Sequence, residues 1–110
     1  MLTRVFINGY GNIGRRLASA ISKDKEIQLV GIAKYSPDEK TQEAVRNQFD
    51  IFVPKEKIKE FMGKQYRVNG TIEEAVAQCD LVIDAAKEGG GYLNKLKLYE
   101  PLNKPAIFQG

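Results

Sequence analysis

Asn8-Gly9-Tyr10-Gly11-Asn12-Ile13-Gly14 sets three glycines in G-x-G-x-x-G order directly behind a short β-type run, Arg4-Val5-Phe6-Ile7-Asn8. The run reads as a buried first strand. After the glycines, Ile13, Leu17, Ala18, Ala20 and Ile21 recur at helical spacing, so Asn12 to Ser22 reads as a helix. Strand, glycine loop and helix in that order form a dinucleotide-binding fingerprint. Each glycine then has a mechanical reason. Gly9 allows the tight turn out of the strand, Gly11 lets backbone approach a pyrophosphate, and Gly14 lets the helix pack against the strand. The N–H groups around Asn12 and Ile13 face the phosphates at the positive end of the helix, and Tyr10 packs under the loop.

Downstream, strands and helices alternate. Ile27 to Ala33 is a second strand, nearly all apolar, as a parallel strand covered on both faces tends to be. Ser36-Pro37-Asp38-Glu39 predicts a helix capped by Ser36 and running to about Gln48. Ile51-Phe52-Val53 is a short strand, Lys55 to Met62 a short helix, and Tyr66-Arg67-Val68 a strand-like piece. Thr71 and Glu74 stand in capping-box register and open a helix to about Gln78. Asp80 to Asp84 is a strong strand. A glycine-rich loop (88–91), a helix from Tyr92 to about Leu102 and a last strand at Pro105 to Phe108 complete the chain. The fold class expected is α/β, a Rossmann-type doubly wound, mainly parallel sheet with helices on both faces.

In such a sheet, ligands sit at the carboxyl ends of the strands. Small Ala85 and Ala86 after the third strong strand leave room for a ribose or nicotinamide, and Gln109 and Gly110 fall at the same edge. Asp84 either touches a ligand or orients the turn; both readings stay open. The residue about 20 positions beyond the glycines is normally an acid that accepts from the adenosine ribose. Here it is Lys34, with no acid nearby until Asp38, which belongs to the next helix. A cation beside a ribose attracts a 2′-phosphate, so the charge favours NADP over NAD.

Length and composition exclude much else. At 110 residues the chain matches about one small domain, which is short for an enzyme that must hold both a large cofactor and a substrate. With 43% hydrophobic and 28% charged residues it reads as a globular domain rather than a disordered one. Zero histidines and the single Cys79 remove zinc and iron–sulfur sites and every mechanism built on a histidine base. Cys79, before a strand, reads as a packing residue rather than a nucleophile. No catalytic residue and no metal ligand is expected. The 17 basic and 14 acidic residues are mixed along the chain, so neither nucleic acid nor a membrane is an expected partner.

The motifs carry a resemblance. Asn8 to Gly14 resembles the N-G-[FY]-G-x-I-G loop that follows the first strand of glyceraldehyde-3-phosphate dehydrogenases. Val30 to Lys34, Asp50 to Val53, Gly70 to Glu73, Asp80 to Ala85 and Ala106 to Gly110 resemble later landmarks of the archaeal branch, in the same order. The resemblance implies an NAD(P)-binding domain over residues 1–110. The parent enzyme would convert glyceraldehyde 3-phosphate, phosphate and NAD(P) to 1,3-bisphosphoglycerate. It implies NADP as the preferred cofactor, NAD as the second, a cytoplasmic homotetramer as the full-length parent, and work in glycolysis or gluconeogenesis. It assigns cofactor contacts to Asn12, Ile13, Lys34 and Gly110. The family's catalytic cysteine and histidine lie beyond the last motif, and Cys79 does not match them, so this chain is expected to be inactive alone. One departure stands out: the family often has Thr-Pro after the Asp-Ala of the third strong strand, where this chain has Ala86-Lys87. The other class that stays open is a stand-alone nucleotide-binding or redox-sensing module without catalysis.

Overall fold

Six strands form one sheet in the computed structural model, which describes residues 2–86 and 90–109. They are β1 (Thr3–Asn8), β2 (Ile27–Ala33), β3 (Ile51–Val53), β4 (Gly70–Thr71), β5 (Leu81–Asp84) and β6 (Ala106–Phe108). The order across the sheet is β4-β3-β2-β1-β5-β6, and every adjacent pair is parallel. Helices α1 (Asn12–Ser22), α2 (Glu39–Arg46), α3 (Ile58–Gly63), α4 (Ile72–Gln78) and α5 (Gly90–Asn94) connect them. The chain winds outward from β1 in one direction through β2 and β3, and from β5 in the other to β6. The β1–β5 pair is therefore the switch point, and this is a Rossmann-type, doubly wound α/β fold.

Side-chain alternation along β1 sorts the core into two layers. Val5 and Ile7 point to one face and pack with Ala18 and Ile21 of α1, Ala44 of α2 and Phe61 of α3. Phe6 points to the other, among Phe52, Ala75 and Val76 of α4, Val82 and Tyr99. There Phe6 meets Phe52 edge-on at 5.8 Å and 87°. The register pairs Phe6 with Val82 and Asn8 with Asp84, which brings two polar strand ends side by side at the carboxyl edge.

Three local expectations are corrected. First, α2 is capped by Asp38, not Ser36. Asp38 accepts from the Lys40 and Thr41 N–H groups while the Thr41 hydroxyl accepts from Asp38 N–H, a full capping box two residues after Ser36. Second, Tyr66 to Val68 is not a strand. The ladder to β3 forms instead at Gly70–Thr71, because Asn69 clamps Ile51 from both sides: its side-chain Oδ1 accepts Ile51 N–H and its own N–H donates to Ile51 C=O. Tyr66 and Val68 still pack against the core from this irregular segment. Third, the helix expected from Tyr92 to Leu102 begins at Gly90 and widens into a π-helical turn over Lys95–Tyr99. A π-turn inserts an extra residue per turn, and here it carries Tyr99 fully into the core. The capping box of Thr71 and Glu74 forms as the sequence predicts.

Candidate functional site

The glycine loop crosses the switch point, and its three glycines stand in three different environments. Gly9 adopts φ +118°, a left-handed conformation that L side chains rarely take. A Cβ there would also lie 2.9 Å from Ala85 C=O, so the turn out of β1 and the turn out of β5 pass almost in contact. Gly14 is closed by the protein itself: a Cβ would sit 2.1 Å from Gly9 C=O. Gly11 is the opposite, for a Cβ on it would meet nothing within 4 Å. Nothing among the described residues requires a glycine at that position.

Gly11 is also the residue that caps α1, and it supplies no side chain to the open N–H groups of the first turn. No acidic residue occupies that turn, while Asn12 and Ile13 are exposed. A helix of 11 residues thus ends at the crevice with its positive pole uncovered. Tyr10 turns the other way. Its side chain is buried against Phe49 at 6.3 Å, and burial pushes its hydroxyl pKa up. Arg15 is engaged by Glu43 of α2 through two contacts of 2.7 and 3.0 Å, and Arg16 is exposed.

Lys34, at the end of β2, is buried rather than free. Its Nζ lies 2.8 Å from Asp38 Oδ1, so the cation expected to face a ribose already has an anion on it. Burial pushes the Asp38 carboxyl up, but the Lys34 ammonium and the cap N–H donors outweigh this and hold it below the ordinary carboxylate range.

Between the ends of β1, β2 and β5 lies a chain of polar side chains, buried at Asn8, Tyr99 and Asp84 and open to solvent at Tyr35. The Tyr35 hydroxyl donates to Asn8 Oδ1 at 2.5 Å, and Asn8 Nδ2 donates to the Tyr99 hydroxyl at 2.9 Å. Tyr99 in turn donates to Asp84 Oδ2, which also accepts from Asn94 Nδ2 at 2.9 Å. Asp84 Oδ1 takes the Ala86 N–H at 2.9 Å. Burial raises the Tyr35 hydroxyl to about 12, and burial together with the Asp84 carboxylate raises Tyr99 well above the usual phenol range. Both phenols therefore remain donors at neutral pH. Of the two roles open for Asp84 in sequence, the structure displays the turn-orienting one. Asp84→Asn should cost about 1–2 kcal/mol, because the amide adds an N–H where donors already converge; urea denaturation midpoints measure it.

Ala85 and Ala86 are half-buried beside Gly9, and the Gln109 N–H donates to Asp84 C=O at 2.8 Å, so these three stand at the same edge as the loop. Gly110 and Lys87 lie outside the described residues. Cys79 sits at the far, amino-terminal edge. It is fully buried, its thiol pKa is raised by burial, and its thiol points at Val76 C=O, so it has the environment of a packing residue. A cavity of about 450 Å³ at that same far edge is lined by Asp24, Ile27, Phe49 and Asp50 and includes none of the expected site residues. Sequence reading did not assign Asn8, Asn94 or Tyr99 to the site. Asn8 ends the first strand one residue before the fingerprint, which was a usable signal; Tyr99 had none, since its position depends on the π-turn.

No family model matches the chain. It is 40% identical over 107 residues to a glyceraldehyde-3-phosphate dehydrogenase of Sulfolobus acidocaldarius, spanning 97% of this chain and 31% of that one. It belongs with the archaeal-type glyceraldehyde-3-phosphate dehydrogenases. The enzyme of that name from Methanobacterium bryantii is 40% identical over 107 residues, and one from Saccharolobus islandicus is 42% identical over 106. The chain spans about a third of the length of these glyceraldehyde-3-phosphate dehydrogenases. Among solved structures, an NAD-binding protein from Listeria innocua matches 98% of this chain and 34% of its own, with a TM-score of 0.50 and 15% identity, a likeness of fold. No helix among the described residues is long and apolar enough to cross a membrane.

Proposed function

We propose that this chain binds a nicotinamide dinucleotide across the carboxyl edge of its sheet and serves as the cofactor domain, residues 1–110, of a phosphorylating glyceraldehyde-3-phosphate dehydrogenase. The single observation that carries the reading is Gly11. It is a glycine with open space around it, at the bare pole of α1, in a loop whose other two glycines are explained by packing and backbone conformation. A pyrophosphate is an occupant that fits both the space and the exposed N–H groups.

In this reading the backbone of Tyr10, Gly11, Asn12 and Ile13 holds the pyrophosphate. Gly9 and Gly14 shape the loop. Lys34 lies at the adenosine end, and Ala85, Ala86, Gln109 and Gly110 line the nicotinamide side. The bound nicotinamide supplies the hydride acceptor for oxidation of glyceraldehyde 3-phosphate in the presence of phosphate. The chain's own residues bind and orient it, and no side chain here is offered as nucleophile or base, so the chain alone turns over no substrate. The parent works as a cytoplasmic homotetramer. Relatives of the same name and about 40% identity support the parent reaction.

Lys34 supports a preference for NADP over NAD, since its ammonium stands at the end of β2 where a ribose phosphate would come. Titration calorimetry of the chain should show NADP binding more tightly than NAD. Lys34→Glu should reverse that order, weakening NADP by on the order of 2 kcal/mol, or roughly thirtyfold. An unchanged preference in Lys34→Glu, with an intact thermal transition, would overturn the charge argument.

A further inference from the structure

The Lys34 ammonium is not presented alone, and this changes what the end of β2 can distinguish. Its side chain is 8% exposed, whereas that of Asp38 is 48% exposed. At this corner the carboxylate faces solvent more than the ammonium does. Asp38 Oδ1 takes the Lys34 Nζ at 2.8 Å together with the Lys40 and Thr41 N–H groups at 3.0 and 3.2 Å. None of these contacts uses Oδ2. The carboxylate is thus pinned in place by a helix cap and an ion pair, with one oxygen left over.

We infer that Asp38 is the residue that discriminates between adenosine ribose forms at this site, restraining the preference that Lys34 alone would give. The inference rests on the proposed dinucleotide reading. A 2′-phosphate arriving at Lys34 meets a fixed anion within one ion-pair distance of its cation and must share or displace it. Like charges brought together in this way are costly. A ribose carrying a free 2′-hydroxyl meets instead an unused carboxylate oxygen, the acceptor that an acid at the end of β2 ordinarily supplies in this type of fold. Asp38 therefore performs from the next helix, four residues later, the role that the spacing rule assigns to the position Lys34 occupies. Lys34 and Asp38 act as a pair with opposite preferences, so the site accepts both cofactors.

Asp38→Asn isolates the charge. Asparagine caps a helix about as well as aspartate, so α2 keeps its start while the anion disappears. Asp38→Ser, another good cap, provides the same test with a different side chain. The probes are adenosine 2′,5′-bisphosphate and 5′-AMP, which report the adenosine half alone, followed by NADP and NAD, each titrated calorimetrically into the whole chain. In both variants the 2′-phosphorylated ligands should bind about tenfold tighter, or about 1.4 kcal/mol, while 5′-AMP and NAD bind no tighter than before. If the wild-type chain binds both ligand types and the variants leave their ratio unchanged, or shift both equally, the assignment to Asp38 is wrong while the glycine loop stands. If the wild-type chain binds none of the four, the dinucleotide reading falls and this inference falls with it.

Discussion

Gly14→Ala should cost about 3 kcal/mol or more of folding stability, enough to move the urea midpoint of a domain this size far to the left. The new methyl would lie 2.1 Å from the Gly9 carbonyl oxygen. That oxygen is backbone, so no side-chain rotation relieves the contact. Gly9 cannot retreat either, because it is held at φ +118° with Ala85 C=O close behind it. The remaining response is for α1 to lift off the sheet, which would loosen Ala18 and Ile21 from the layer that also holds Val5, Ile7 and Ile32. Overpacking a tight interior costs typically 1–3 kcal/mol and more where backbone must move. Against a total stability of about 5–15 kcal/mol for an ordinary domain this is a large fraction. A midpoint within error of wild type would show that the helix can slide on the strand and that Gly14 is not a packing requirement.

The difference between Gly14 and Gly11 also marks how far the sequence could be read. Three glycines in register behind an apolar run disclose the turn, the helix and the edge of the sheet where a ligand belongs, because each is a local steric demand on adjacent residues. The strands β1, β2 and β5 were legible for the same reason: their residues are mostly apolar, and glycine or charged residues flank them. What local reading missed depended on contacts between distant residues. Asp38 rather than Ser36 caps α2 because Lys34 and Thr41 both converge on it. Ladder pairing falls at Gly70–Thr71 because Asn69 is tied to Ile51, 18 residues away. Tyr99 joins the site only because a π-turn rotates it inward to meet Asn8 and Asp84, partners 91 and 15 residues away. Lys34 shows both sides. Its charge and its place at the end of β2 were readable, and its burial against a carboxylate was not, since that carboxylate belongs by sequence to the next element.

Gly11→Val should abolish dinucleotide binding while leaving the fold nearly intact. At φ −87° and ψ −159° Gly11 is in extended backbone open to any residue, and a Cβ there meets no protein atom within 4 Å. The structural cost is confined to the cap of α1, where valine is a poor residue, at about 1 kcal/mol. The thermal transition should therefore shift by only a few degrees. The isopropyl group would occupy the space directly over the first turn of α1 and hold a pyrophosphate away from the N–H groups of Asn12 and Ile13. An anion kept out of hydrogen-bond range loses both the donors and the dipole, so NADP and NAD should each weaken by roughly a hundredfold or more. Calorimetric titration and a melting curve on the same preparation separate the two effects. Loss of binding with a retained fold identifies Gly11 as a glycine kept for a ligand, in contrast to Gly14, which the protein needs for itself. Retained binding in Gly11→Val would mean the phosphates lie elsewhere, and the assignment of this loop to a dinucleotide would have to be given up.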